Sequence, residues 1–87
     1  MQKEYYMSLT NEDKYKKSFV DSFEIEEDLL NQKLEYNSIP EWDSIGHMTL
    51  IAALEEIFDI SMETDDIIEF SSYEKGKEIL NKYSIVI

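Results

Sequence analysis

Cysteine and arginine are absent from this chain of 87 residues, and glycine and proline are scarce, with two and one. Without cysteine the protein can form neither a disulfide framework nor a thiolate metal site. So few chain-breaking residues favour helices over a β-sandwich with many turns. No apolar run reaches membrane-spanning length, and residues 1–6 lack the apolar centre of a signal peptide, so we expect a cytoplasmic protein without membrane insertion.

The length allows one domain over residues 1–87, with a single small core. Hydrophobic residues make up 43% of the chain, which suffices for a globular fold although 32% of the residues are charged. We expect residues 1–9 to form a flexible leader. We expect the protein to be a monomer.

Negative charge is concentrated in the middle of the chain, and the formal net charge is −12 at pH 7. Residues 34–73 contain no lysine but ten acids: Glu35, Glu41, Asp43, Glu55, Glu56, Asp59, Glu63, Asp65, Asp66 and Glu69. Such a field repels nucleic acid and anionic membranes, and it attracts basic protein surfaces. The acids can also act only to solubilise a small domain.

The first helix is predicted from about Asn11 to Phe23. The sequence of residues 10–13 has the form of a capping box, and Tyr15, Phe19 and Phe23 recur every four residues after it. Residues 24–41 have no steady helical spacing, so we expect a long loop with one helical turn at most. Five apolar side chains would pin this loop to the core: Ile25, Leu29, Leu30, Leu34 and Ile39. A loop of this length in a compact domain usually has a function.

A second helix is predicted to start at Asp43 or Ser44 and to end near Phe58 or Asp59. Asp43 is a good N-cap, because its charge suits the positive end of the helix dipole. Helical spacing gives the following buried face for this helix: Ile45, Met48, Ile51 with Ala52, Leu54 and Phe58.

Two further helical segments follow. Residues 64–66 can cap a short turn, and residues 71–74 form a second capping box that opens a last helix with Tyr73, Ile79, Leu80 and Tyr83 inward. Gly76 within it either weakens the helix or permits a close helix contact. The predicted fold is all-α: a small four-helix bundle with three longer helices, one short helix and a long first loop.

Catalytic and metal-binding residue patterns are largely missing. His47 is the single imidazole, so a metal site would have to consist of carboxylates, and the acid-rich residues 59–69 lack the glycine and ligand spacing of a calcium loop. Ser44 has His47 three residues later, but no nucleophile elbow surrounds it. We therefore expect no enzyme activity, no catalytic residue and no metal site.

Ser44 lies between an aspartate and a branched apolar residue, at the start of the second helix. A hydroxyl there faces unpaired backbone N–H groups and the positive end of the dipole, which suits a covalently attached phosphate. The run 53–60, Ala-Leu-Glu-Glu-Ile-Phe-Asp-Ile, follows at a fixed distance. Through the pair Asp43-Ser44, this run and the distance between them, residues 42–60 closely resemble the acyl carrier protein family.

The resemblance implies a carrier without catalytic activity of its own. Ser44 would receive a 4′-phosphopantetheine arm from coenzyme A, and the arm's thiol would hold acyl or aminoacyl groups as thioesters. The implied partners are a phosphopantetheinyl transferase, a ligase that loads the cargo, and a downstream acyltransferase or synthase. The implied recognition residues are Asp43, Ile45, Met48, Glu55 and Glu56, with Ile45 and Met48 partly exposed beside the arm rather than in the core.

Several positions differ from the carriers of primary fatty acid synthesis. Gly46 and Thr49 replace acids, and Trp42 and His47 are not typical of those carriers. The pattern Trp-Asp-Ser-x-x-His is more similar to carriers of dedicated pathways, which load a short acyl or aminoacyl group. We expect Trp42 to anchor the loop on the core and His47 to be partly exposed. The alternative function is an unmodified acidic helical adaptor that binds one basic protein partner.

Overall fold

A computed structural model describes residues 9–87, so all of the expected leader except Leu9 lies outside the described residues. The helices of this region are α1 (Asn11–Phe23), α2 (Ser44–Phe58), α3 (Thr64–Glu69) and α4 (Tyr73–Asn81). One 3-10 turn, Glu27–Leu29, interrupts the first loop, and the described residues contain no β-strand. The predicted all-α bundle with three longer helices and one short helix is confirmed.

Helix α1 begins with the predicted capping box. The Thr10 hydroxyl accepts a hydrogen bond from the backbone N–H of Asp13 at 3.0 Å, and the Asp13 carboxylate accepts one from the N–H of Thr10 at 3.3 Å. The helix is followed by Glu24, whose backbone is left-handed with φ 54°. Its buried face packs against α2.

The core is built mainly from aromatic rings. The Phe19 ring makes edge-to-face contacts with four others, with centroid distances of 5.0 to 5.9 Å: Tyr15, Phe23, Trp42 and Tyr73. Such pairs contribute about 0.5–1.5 kcal/mol each beyond the area that they bury. Trp42 is fully buried within this cluster, which confirms its expected role as the anchor of the loop.

The long first loop is fixed to the start of α4 by two backbone hydrogen bonds. The N–H of Tyr36 donates to the Ser71 carbonyl, and the N–H of Tyr73 donates to the Leu34 carbonyl, each at 2.9 Å. Leu34 is buried beside this bridge, but Leu29 is 42% exposed, so its predicted contact with the core is wrong. The loop therefore holds a defined position between α2 and α4.

The buried face of α2 differs from the predicted one. Leu50, Ile51 and Leu54 are buried and Phe58 is half-buried, but Ile45 and Met48 are 78% and 54% exposed. Ala52 is exposed as well. Nearly every side of this helix carries apolar residues, so periodicity alone does not fix its rotation about its axis.

The start of α4 is shifted by one residue from the predicted capping box. Ser72, not Ser71, is the N-cap, and its hydroxyl accepts a hydrogen bond from the N–H of Lys75 at 2.9 Å. Gly76 permits the predicted close contact, because a Cβ atom there would collide with the Tyr15 hydroxyl and the Phe70 ring. Helix α4 can therefore lie directly against the aromatic cluster.

Candidate functional site

Ser44 is the first residue of α2, and its side chain is exposed. The preceding Asp43 is the N-cap: its Oδ1 accepts a hydrogen bond from the backbone N–H of Gly46 at 2.8 Å. Because the aspartate supplies the cap, helix formation does not need the serine hydroxyl. The geometry leaves Ser44 available to another molecule at the positive end of the α2 dipole.

Gly46 allows the loop before α2 to approach the helix closely. A Cβ atom at this position would overlap the backbone carbonyl of Glu41, and it would lie 3.3 Å from Oδ1 of Asp43. Any residue larger than glycine would therefore displace the loop. The glycine therefore permits the close turn that precedes Ser44.

Three large apolar side chains are exposed near Ser44. Ile45 and Met48 extend from α2, and Ile68 of α3 is 71% exposed. Exposed apolar residues that are grouped around one polar residue commonly mark a contact surface. The exposure of Ile45 and Met48 agrees with the position that the family resemblance implies and not with the buried face that helical spacing gives.

An open, mostly apolar groove of about 330 Å³ lies beside these residues; we call it the Ser44 groove. Its lining is Tyr36, Ser44, His47, Met48, Ile67, Ile68, Phe70 and Ser71. The groove runs between α2 and α3 and is bordered by the first loop and the start of α4. Its volume falls at the lower end of the roughly 300–1,000 Å³ of small-molecule sites.

His47 forms the floor of the groove and joins three elements. The indole N–H of Trp42 donates to Nδ1 of His47 at 2.9 Å, and Nε2 of His47 lies 2.8 Å from the carbonyl oxygen of Ile67 in α3. The imidazole and the Trp42 ring are nearly coplanar, with 6.2 Å between centroids and 16° between planes. His47 is half-buried, as predicted, but the sequence contains no sign of these partners.

Glu55 and Glu56, predicted together as recognition residues, have different surroundings. Oε2 of Glu55 accepts a hydrogen bond from the backbone N–H of Met62 at 2.9 Å, so this half-buried carboxylate supports the link after α2. Glu56 is exposed. Of the two, Glu56 is the residue more open to a partner.

Asp66 is a buried acid that holds α3 to the end of α4. One carboxylate oxygen accepts a hydrogen bond from Nζ of Lys82 and the other accepts one from the Tyr83 hydroxyl, both at 2.6 Å. These two donors lower the pKa of Asp66 below its ordinary value. The Tyr83 hydroxyl also accepts from the N–H of Glu63 at 2.8 Å, so the network fixes the start of α3 as well.

The two buried tyrosines of the core keep their protons at all ordinary pH values. Burial raises the pKa of Tyr73 to about 12 and that of Tyr15 further still. The Tyr15 hydroxyl donates to the Tyr73 carbonyl at 2.6 Å. Neither group is placed to act as an acid or a base at Ser44.

Among residues 9–87, no group of three or more histidine, aspartate or glutamate side chains is arranged to hold a metal ion. In the same region, no helix has the length and apolar character needed to cross a membrane. Comparisons with protein-family models, with curated proteins and with solved structures found no match.

Proposed function

We propose that this protein is a carrier that holds acyl or aminoacyl groups as thioesters on a 4′-phosphopantetheine arm attached to Ser44. The observation that carries the proposal is the exposed Ser44 hydroxyl at the start of α2, in a motif where Asp43 already caps the helix. A phosphodiester on this oxygen would lie at the positive end of the helix dipole, where negative charge is favoured.

The chain itself lacks the chemistry that an arm would supply. It contains no cysteine, so any thioester must be formed on a thiol brought from outside. A thioester activates the carboxyl carbon of its cargo, and a flexible tether raises the effective concentration of that cargo at each partner enzyme. The carrier acts as a substrate of its partners and performs no catalysis.

The surroundings of Ser44 suit docking of the proposed partners: the transferase, the loading ligase, and a downstream acyltransferase or synthase. Ile45 and Met48 offer exposed apolar area beside the serine, and Glu56 offers an exposed negative charge further along α2. Basic partner surfaces would be attracted by the acid-rich residues 34–73. Glu55 would contribute its negative charge while its carboxylate keeps the hydrogen bond from the backbone N–H of Met62.

The test is the intact mass of the protein after incubation with coenzyme A and a broad-specificity phosphopantetheinyl transferase. We expect the addition of one phosphopantetheine, peptide mapping to Ser44, and the appearance of one titratable thiol in a protein that otherwise has none. Ser44→Ala should stay folded and take up nothing. Ser71→Ala is the matched control, because Ser71 lines the same groove but follows no aspartate cap.

An acidic adaptor without modification is the competing function, and the exposed Ile45, Met48 and Ile68 would serve it equally well. The mass measurement separates the two functions. A wild-type mass that stays constant with an active transferase, or an alanine variant that is still modified, contradicts the carrier proposal and leaves the adaptor.

A further inference from the structure

Helices α2 and α3 are joined directly above the aromatic core by His47. Its Nδ1 accepts the indole N–H of Trp42, and an indole can only donate, so Nδ1 carries no proton. In the neutral ring the proton is then on Nε2, which donates to the Ile67 carbonyl of α3 at 2.8 Å. One side chain thus binds the loop, α2 and α3 together; we call the contact between α2 and α3 the His47 seam.

Aromatic rings fill the space immediately beneath the seam. The imidazole lies nearly coplanar with the Trp42 ring, at 16° between planes, and it meets the Phe70 ring edge-to-face at 6.3 Å between centroids. Trp42 and Phe70 are both fully buried. A chain that entered the core from the Ser44 side would have to break the bond to Ile67 and separate these rings.

We infer that His47 closes the core of this carrier to its cargo, so that the cargo is a short acyl or aminoacyl group that rests in the Ser44 groove. The inference rests on the proposed attachment of the arm to Ser44. His47 acts here as a positioning residue that determines specificity, since it touches neither the attachment oxygen nor the thioester carbon. It does so by holding α3 against α2.

The groove is the surface that remains for a cargo tethered at Ser44. Ser44 is part of its lining, and Met48, Ile67 and Ile68 supply apolar contact for a few carbon atoms. The groove is open to solvent, and His47 and Phe70 line its inner side. A short group in the groove would therefore contact the protein on one side and water on the other. A long fatty chain would leave most of its length in water, without the free energy that burial of apolar area supplies.

The absence of native cysteine allows a test that needs neither the transferase nor the arm. The full chain with Ser44→Cys is alkylated with reagents whose spacer is as long as the phosphopantetheine arm and ends in an ethyl, butyl, octyl or dodecyl group, and the melting temperature of each adduct is measured. A tethered group that is buried in the folded state raises the melting temperature. We expect a rise from ethyl to butyl and no further rise to octyl and dodecyl.

The same series in His47→Ala tests the role of the histidine. Loss of the bond to Ile67 should open the seam, so that the melting temperature now continues to rise up to the dodecyl adduct. His47→Gln, whose amide offers one acceptor and one donor, should restore the wild-type plateau and serves if the alanine variant does not fold. Thr49→Ala is the matched control: Thr49 is exposed on α2 and belongs neither to the groove lining nor to the seam, so this variant should keep the plateau.

Three outcomes overturn the inference: a continuous rise to dodecyl in the presence of His47, no rise at any length, or identical plateaus in the His47→Ala and parent series. None of them depends on phosphopantetheine. If the transferase fails to modify Ser44, the carrier proposal fails by itself, whereas these adducts still report whether the core admits a chain tethered at position 44.

Discussion

Among single residues, His47 shows how two partners of opposite character fix a side chain. Trp42 can only donate and the Ile67 carbonyl can only accept, so the ring must have its proton on Nε2. Nitrogen chemical shifts of the imidazole measure this directly. We expect the shift of Nδ1 in the neutral ring to be that of an unprotonated nitrogen, and the tautomer with its proton on Nδ1 would contradict the bond to Trp42.

His47→Ala should lower the free energy of unfolding by about 1–3 kcal/mol, because it leaves the buried indole N–H of Trp42 without an acceptor. Urea denaturation followed by the emission of this single tryptophan measures the loss. Met48→Ala, one position along α2 and exposed, should change stability by no more than about 0.5 kcal/mol. Equal losses in the two variants would mean that the bond contributes nothing.

Asp66 makes stability depend on pH in a predictable direction. Its pKa is lowered in the folded protein by hydrogen bonds from Lys82 and Tyr83, so its contribution is fully present above the ordinary aspartate value of 3.8. That contribution is lost as the pH falls through the lowered folded value. We expect Asp66→Asn to melt below the wild type at pH 7, with a difference that shrinks as the pH falls below about 3.8.

The neighbouring Asp65→Asn is the control for this pH series, because Asp65 is exposed. Its difference from the wild type should be smaller at pH 7. A gap between Asp66→Asn and the wild type that is constant across the acid range would show that the carboxylate is not the titrating group.

Among the helical elements, the end of α1 is a place where the sequence is not optimal. Glu24 adopts the left-handed backbone conformation, φ 54°, and it puts a negative charge at the negative end of the helix dipole. Glycine tolerates this conformation best. We expect Glu24→Gly to raise the free energy of unfolding by about 0.5–1 kcal/mol, measured by urea denaturation.

Glu24→Gln separates the two causes, since it removes the charge and keeps the strained backbone. It should recover only the electrostatic part, about 0.3 kcal/mol or more. A glycine variant that is less stable than the glutamine variant would mean that the lost chain entropy of glycine outweighs the relief of the backbone.

The bounds of α1 and α2 could be predicted because their determinants are local. The Thr10 cap, the spacing of Tyr15, Phe19 and Phe23, and the Asp43 cap are all encoded within a few residues. The rotation of α2 could not be predicted, since apolar residues occur on nearly all of its sides. Packing against α1 and α3 decides that His47 points inward while Ile45 points outward.

The candidate site divides in the same way. Ser44 and its cap follow from a short motif, but the bond from His47 to Ile67 spans 20 residues and ends on a backbone carbonyl, which side-chain chemistry does not reveal. The bridge from Tyr36 to Ser71, which borders the groove, also joins backbone atoms that are distant in the chain. Tertiary contacts of this kind leave no trace in composition or periodicity.

For the molecule as a whole, the uneven charge has a consequence for stability. Four of the five lysines in α1 and α4 form ion pairs within their own helices: Lys16 with Glu12, Lys17 with Asp21, Lys75 with Glu78, and Lys77 with Glu74. Of the ten acids in residues 34–73, Asp66 has a lysine partner in Lys82. The acids of this region therefore repel one another across a small surface.

Added salt should therefore raise the melting temperature near pH 7. Salt screens charge interactions over about 10 Å at 0.1 M, and relief of about 1 kcal/mol corresponds to roughly 4–8 °C in a domain of this size. Thermal unfolding followed by circular dichroism, from low salt to physiological ionic strength and with sodium or magnesium chloride, measures the effect.

Glu41→Gln, in the acid-rich region, should reduce the dependence of the melting temperature on salt. Glu12→Gln should not reduce it, because Glu12 already has Lys16 beside it. A melting temperature that is indifferent to salt in the wild type would mean that the acids are far enough apart, or paired closely enough, for their repulsion to be negligible.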